Sequence, residues 1–196
     1  MPCDVRLQMF YRLNFNPAIA DAWFLGAPVN KDGVEVDPRS FTGSRFFNFT
    51  DSPGLLPQKR HGRSLAVNFG AFDMPVLDAV FLDELEKNFA LNIQRIPVKI
   101  QDFDGKRFEI VNVLSLLAAL DRQRSKYTCW TADSARPDRI GELRWVSQIV
   151  INHSIANGHD LFRLEGWPIA LIVSERFKLF VEQAGAEGCL FDPLAH

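Results

Sequence analysis

The chain has 196 residues, a formal net charge of −2 and 47% hydrophobic residues. That length suits one domain with a real buried core, and the near-neutral charge argues against sequence-independent nucleic-acid binding, which calls for a marked basic excess. The longest apolar stretch, Val111 to Leu120, is interrupted by Asn112 and Ser115 and is too short to cross a bilayer.

The first seventy residues are rich in loop signals. Asp4 to Phe15 reads as a strand, since Val5, Leu7, Met9 and Tyr11 alternate with polar neighbours. Asn30-Lys-Asp-Gly33 and Ser52-Pro-Gly54 read as turns. Between them lies the aromatic segment Phe41 to Phe49, which a core must cover or a partner must use. Leu65 to Phe69 is expected to be a short strand.

Val80 to Phe89 predicts a helix. Leu82, Leu85 and Phe89 fall on one face, Asp83, Glu84, Glu86 and Lys87 on the other, and Asp78 is the expected N-cap. Ile93–Gln101 and Arg107–Val113 read as strands joined through Asp102-Phe-Asp-Gly105, a hairpin signal. Leu114 to Arg124, apolar nearly all round, predicts a buried second helix. Asp133 to Gly141 is a loop containing Pro137, and Leu143 to Ile151 a strand, followed by polar Asn152-His153-Ser154 and a bend at Asn157-Gly158.

Leu161–Leu164 and Ile169–Val173 predict two more strands. A final helix is capped by Ser174, packs Phe177, Phe180, Val181 and Ala184, and stops at Gly185 before a short strand. Met74-Pro75 and Trp167-Pro168 each precede an apolar run and a helix. A duplicated strand–helix–strand unit and chance likeness of two amphipathic helices both account for this.

Chemistry-bearing patterns are sparse. There is no phosphate-binding glycine loop, no dinucleotide fingerprint and no Gly-x-Ser-x-Gly elbow. Cys3, Cys129 and Cys189 are far apart, without metal spacing, which fits reduced thiols in the cytosol. The N-terminus lacks the apolar run of a signal peptide, so a cytoplasmic protein is expected. His153, His159 and Asp160 offer one reading as a metal-assisted hydrolase and another as polar loop residues. Asp102 and Asp104 lack the further ligands of a calcium loop. Asp121 fits a turn anchored on backbone N–H groups better than a catalytic acid. Basic clusters at Lys59–Arg63 and Arg122–Lys126 leave a nucleic-acid module as a third reading.

From about Ile96 onward the order of motifs is more specific. Pro97-Val-Lys-Ile100 precedes an Asp/Gly turn and Phe108-Glu-Ile-Val-Asn112. Leu120-Asp121 with Ser125 and Leu161-Phe-Arg-Leu164 come next. Ile172-Val-Ser-Glu175 then enters a helix, and Gly188-Cys-Leu-Phe-Asp-Pro193 follows. Over residues 96–193 this order resembles a bacterial immunity-protein family of polymorphic toxin systems, the eleventh in its numbered series. Residues 1–70 match much less, and the entry into the helix at Val80 departs from the family's strand-then-Ser pattern. The resemblance implies a protein encoded beside a secreted toxin that protects its producer by binding that toxin, with no cofactor and no reaction of its own. Type VI delivery and interbacterial competition fit that role.

The expectation is therefore a single α+β domain over 1–196, with a mostly antiparallel twisted sheet and a few packed helices. Its partner is a cognate toxin, with no nucleic acid, no membrane and no metal. The matching motifs serve the scaffold, so specificity is expected in loops. The candidate toxin-binding residues are Phe41, Arg45, Phe46 and Phe47 in the aromatic segment and Asp133, Arg136 and Asp138 in the later loop. The competing reading is that the Phe residues simply cover the sheet.

Overall fold

The computed structural model describes residues 8–48 and 53–195. Cys3, Asp4, Val5, Leu7, Phe49 and Ser52, each named above, lie outside them. The fold is α+β, with strands predominant and mostly antiparallel.

In chain order the first strands are β1 (Phe10–Phe15), β2 (Phe24–Leu25), β3 (Val29–Asn30), β4 (Pro53–Leu56) and β5 (Gln58–Arg60). Then come β6 (Val67–Gly70), β7 (Met74–Asp78), helix α1 (Ala79–Asn88), β8 (Ile93–Ile100) and β9 (Phe108–Val113). The rest are β10 (Leu116–Leu117), β11 (Lys126–Cys129), β12 (Leu143–Gln148), α2 (His153–Ala156), β13 (Leu161–Leu164), β14 (Trp167–Ser174), α3 (Glu175–Gln183) and β15 (Cys189–Pro193).

β2–β5 and β11–β12 are separate two-stranded pairs, and the other eleven strands form two main sheets. One has six strands in the order β3-β4-β8-β9-β7-β6, the other five in the order β10-β13-β14-β1-β15. Both β4–β8 and β10–β13 are parallel pairs at the outer part of their sheet. Along β14, Leu171 and Val173 enter one core while Ala170 and Ile172 enter another, so both faces are covered. β9 behaves alike, with Val111 and Val113 on one side and Phe108 and Ile110 on the other. Burial on both faces explains why these strands read as nearly continuous apolar runs. The core holding Leu171, Val113, Leu85 and Phe177 is shared by both sheets and by α1 and α3.

The two sheets repeat one arrangement. A hairpin (β6–β7 or β13–β14) leads straight into a helix, and the next strand returns two places away from the one it left. The strand between them is β9 in the first case and β1 in the second. The likeness of Met74-Pro75 to Trp167-Pro168 thus extends to topology.

Several expectations need correcting. Leu114–Arg124 is no helix: Leu116 and Leu117 pair with Arg163 and Leu164, and Leu120 bridges Ile151. Without an amphipathic stripe the segment gained more from the open edge of β13 than from helical hydrogen bonds. Pro53 and Gly54 belong to a strand rather than a turn. Asn152-His153-Ser154 begins the short α2, with Asn152 capping Ser154 N at 3.1 Å. Ala184 is exposed, one residue past the helix it was assigned to.

Candidate functional site

The aromatic segment begins with a 3-10 turn at Pro38–Phe41, capped by Asp37, whose carboxylate accepts from Arg39 N at 2.9 Å. Pro at the first position suits this turn because its missing N–H has no partner to lose. Phe41 is fully buried beside Leu56, Met74 and Ile96. This corrects its assignment as a partner contact: the ring has no surface to offer, and it stacks on Phe47 at 4.7 Å. Phe47 is half-buried over the same core.

The loop that follows is tied to the six-stranded sheet by two buried amides. Gln94 accepts from Phe47 N and donates to Phe47 O, both at 2.8 Å, and Asn112 donates to Arg45 O at 2.7 Å. With the backbone so fixed, Arg45 and Phe46 project outward, Phe46 with 72% of its surface exposed. An exposed aromatic ring on a braced backbone is the kind of side chain that interface centres favour.

The second segment is closed at its base by Trp130 N to Glu142 O (3.0 Å) and Gly141 N to Trp130 O (2.9 Å). Gly141 has φ +84, which suits a residue without a Cβ. Asp133, Arg136 and Asp138 are exposed, and Arg136 pairs with Asp138 at 2.8 Å. That guanidinium holds the Asp138 carboxyl below its ordinary value. Arg39 likewise lowers Asp37, chiefly through their hydrogen bond.

The two segments, far apart in sequence, meet in space. Arg136 lies near enough to oppose the charge of Arg39. Between the segments runs a groove of about 400 Å³, with Arg39 and Phe72 on one side and Trp130, Arg139 and Arg144 on the other. Trp167 and Ile169 of β14 complete it. Phe72, 57% exposed, sits in a turn where it and Asp73 both have left-handed φ (57° and 54°). Such backbone costs roughly 1–3 kcal/mol per non-glycine residue and is held only where surroundings demand it. Phe72, Trp130, Arg139, Arg144 and Trp167 escaped the sequence reading. The signal was the concentration of three of the four Trp among these arginines, which says nothing until the chain is folded.

The alternative sites do not assemble. Asp160 accepts from Ser174 Oγ at 2.6 Å and pairs with Arg176. His153 and His159 rest against the rings of Phe10 and Phe162. Among the described residues no group of three His, Cys, Asp or Glu side chains is placed to hold a metal ion. Asp121 accepts from Gln123 N and Arg124 N and so serves as a turn anchor. In the first basic cluster Arg63 is neutralised by Asp21 and Glu187, and in the second Arg124 lies 3.9 Å from Asp121. Burial pushes the Cys189 thiol up to about 12, which leaves it without thiolate character at neutral pH. No helix among the described residues is long and apolar enough to cross a membrane.

Residues 83–196, more than half of the chain, match the family described as Immunity protein family (Imm11). The chain belongs to this family. The match starts within α1 and takes in β8 through β15, hence the Trp130, Arg144 and Trp167 side of the groove. The side formed by Arg39 and Phe72, with neighbouring Arg45 and Phe46, lies before the matched residues. No curated protein matches the chain.

Proposed function

We propose that this immunity protein neutralises a cognate secreted toxin by binding it directly in the cytoplasm, and that it catalyses nothing itself. Membership of the immunity family carries the proposal. The toxin belongs to a polymorphic toxin system used in interbacterial competition, with contact-dependent delivery such as type VI secretion. A rigid domain suffices for this task, because occluding an enzyme's active site needs shape and affinity rather than reactive groups. Capture at low toxin concentration calls for affinities of the tightest protein pairs, about 1 nM or below.

The contact surface in this proposal is the paired loops: Arg45 and Phe46 from the first, Asp133, Arg136 and Asp138 from the second, with Phe41 and Phe47 bracing them from beneath. Exposed aromatic and Arg side chains on a braced backbone favour it. The test is co-expression with the toxin encoded beside this gene. Growth should be restored and the two proteins should co-purify; a toxin that kills equally well in the presence of this protein refutes the reading. The double variant Arg45→Glu, Phe46→Asp should fold normally and protect less.

A further inference from the structure

The charged groups lining the groove between the two loops are of one sign only. Arg39, Arg139 and Arg144 line it, and among the described residues no carboxylate does. Beneath Pro168, which also lines it, lies Arg163. That guanidinium is fully buried, donates one N–H to Pro168 O at 2.7 Å, and leaves Nε and Nη2 without an acceptor. The indole N–H groups of Trp130 and Trp167 are likewise enclosed and without an acceptor. Donors are in excess here, and acceptors are what the site lacks.

The charge balance is specific. Arg39 is paired with Asp37, Arg139 with Glu142 and Arg136 with Asp138, while Asp73 acts on Arg163 from the strained turn. Arg144 has no carboxylate partner among the described residues. It lies over the Trp130 ring, 5.1 Å from its centre. One free cation on an aromatic plate, backed by a buried one, makes a point of positive potential rather than a track. A nucleic-acid backbone requires a track; a carboxylate, with two acceptor oxygens, is satisfied by one guanidinium fork. Phe72 in the lining and Trp145, whose ring meets that of Trp167 at 6.3 Å (57% and 60% exposed), would hold the aliphatic neighbours of such a group.

We infer that this groove docks an acidic segment of a protein partner, with Arg144 as the principal charge contact and Phe72 and Trp130 as its walls. The partner's identity as the toxin rests on the proposal above; the chemistry of the segment does not. The strained Phe72–Asp73 turn fits the same purpose, since it keeps a ring in solvent at the groove's edge.

The experiment uses the full chain and three fluorescent probes: a short peptide alternating Glu and Leu, its Gln–Leu counterpart, and an oligothymidylate, all followed by anisotropy. The Glu peptide should bind, weaken as salt rises, and bind about tenfold more tightly than the Gln peptide. Arg144→Glu should weaken it about tenfold with an unchanged melting temperature. Phe72→Ser is a second variant at an equally exposed position and should weaken both peptides. The inference is overturned if the Glu peptide fails to bind, if the two peptides bind alike, or if both variants bind as the parent does. Tighter binding of the oligothymidylate would overturn it in favour of a nucleic-acid groove. Glu-peptide binding without growth rescue would sink the toxin reading alone, and rescue without peptide binding would sink the groove alone.

Discussion

Asp78 and Ser174 hold the same position in two copies of one arrangement, each ending a strand and capping the helix that follows. Asp78 accepts from Val80 N, and Ser174 from Phe177 N. Asp78 N donates to Ala66 O across the first hairpin, and Ser174 N to Asp160 O across the second. The next amides, Ala79 N and Glu175 N, reach Arg107 O and Met9 O, just ahead of the strands that flank each helix. The feature shared by the two arrangements is thus a junction: the cap fixes where pairing stops and helix begins. Asp78→Ala and Ser174→Ala should each cost about 0.5–2 kcal/mol, read from the urea midpoint. Ser174→Ala should cost more, because Ser174 is fully buried and its hydroxyl also donates to Asp160. Unmoved midpoints for both variants would show that packing alone sets these junctions.

Gly188 joins the edge of one sheet to the other. Val67 N donates to Glu187 O at 3.1 Å, and Asn16 N donates to Gly188 O at 3.1 Å. A Cβ on Gly188 would sit 1.7 Å from Val67 O, and its φ of 116° lies in a region side chains avoid. The obstruction is backbone, so it cannot swing away. Gly188→Ala should therefore cost several times the roughly 1 kcal/mol expected for Gly158→Ala. At Gly158 φ is also positive, but a Cβ would meet nothing within 4 Å. Equal melting temperatures for the two variants would contradict this account.

Much of this was readable in the sequence because local rules and tertiary packing agree. Helix α1, with Leu82 and Leu85 inward and Asp78 as cap, follows directly from its spacing, as does α3 with Ser174. The hairpin of β8 and β9 follows from Asp102–Gly105, although pairing ends at Val98↔Phe108, further from the turn than a tight hairpin requires. The pairing instead passes to β4, where Leu55 and Leu56 lie against Lys99 and Ile100. Residues 114–124 misled because strand pairing with β13 is a long-range fact with no period of its own. The groove was illegible for a similar reason. Phe72, Trp130 and Trp167 each look like core residues, and only the meeting of three distant segments leaves them at a surface.

Arg63 is a clamp with a definite pH signature. It donates to Asp21 at 2.8 Å and to Glu187 at 2.6 and 3.0 Å, tying the loop after β1 to the segment before β15. Its hydrogen bond holds the Glu187 carboxyl below the ordinary 4.5. With the folded value depressed, the unfolded chain takes up the proton first. The contribution is complete above pH 4.5 and fades as pH falls through the folded value. Arg63→Met should therefore be less stable than the parent at neutral pH, by a small, salt-sensitive margin since the pair is exposed. That margin should close in acid. A difference that persists unchanged at about pH 3 would assign the effect to the side chain's packing instead.

Arg163 poses the opposite case, a cation the fold tolerates rather than uses. Its side chain shares a strand face with Leu161, and burial lowers its pKa to about 10 while Asp73 pulls it the other way. At neutral pH it is charged both folded and unfolded, so the folded state bears the whole desolvation cost with one hydrogen bond to offset it. Arg163→Met keeps the volume and drops the charge. It should be neutral to about 4 kcal/mol more stable, whereas Arg163→Ala should lose about 2–5 kcal/mol to the cavity it leaves. Above pH 10 the folded protein releases this proton before the unfolded chain does, so the parent should gain on Arg163→Met as pH rises beyond that point. A strongly destabilised Arg163→Met at pH 7 would mean the guanidinium is a structural cation, and its carboxylate, Asp73, the next residue to remove.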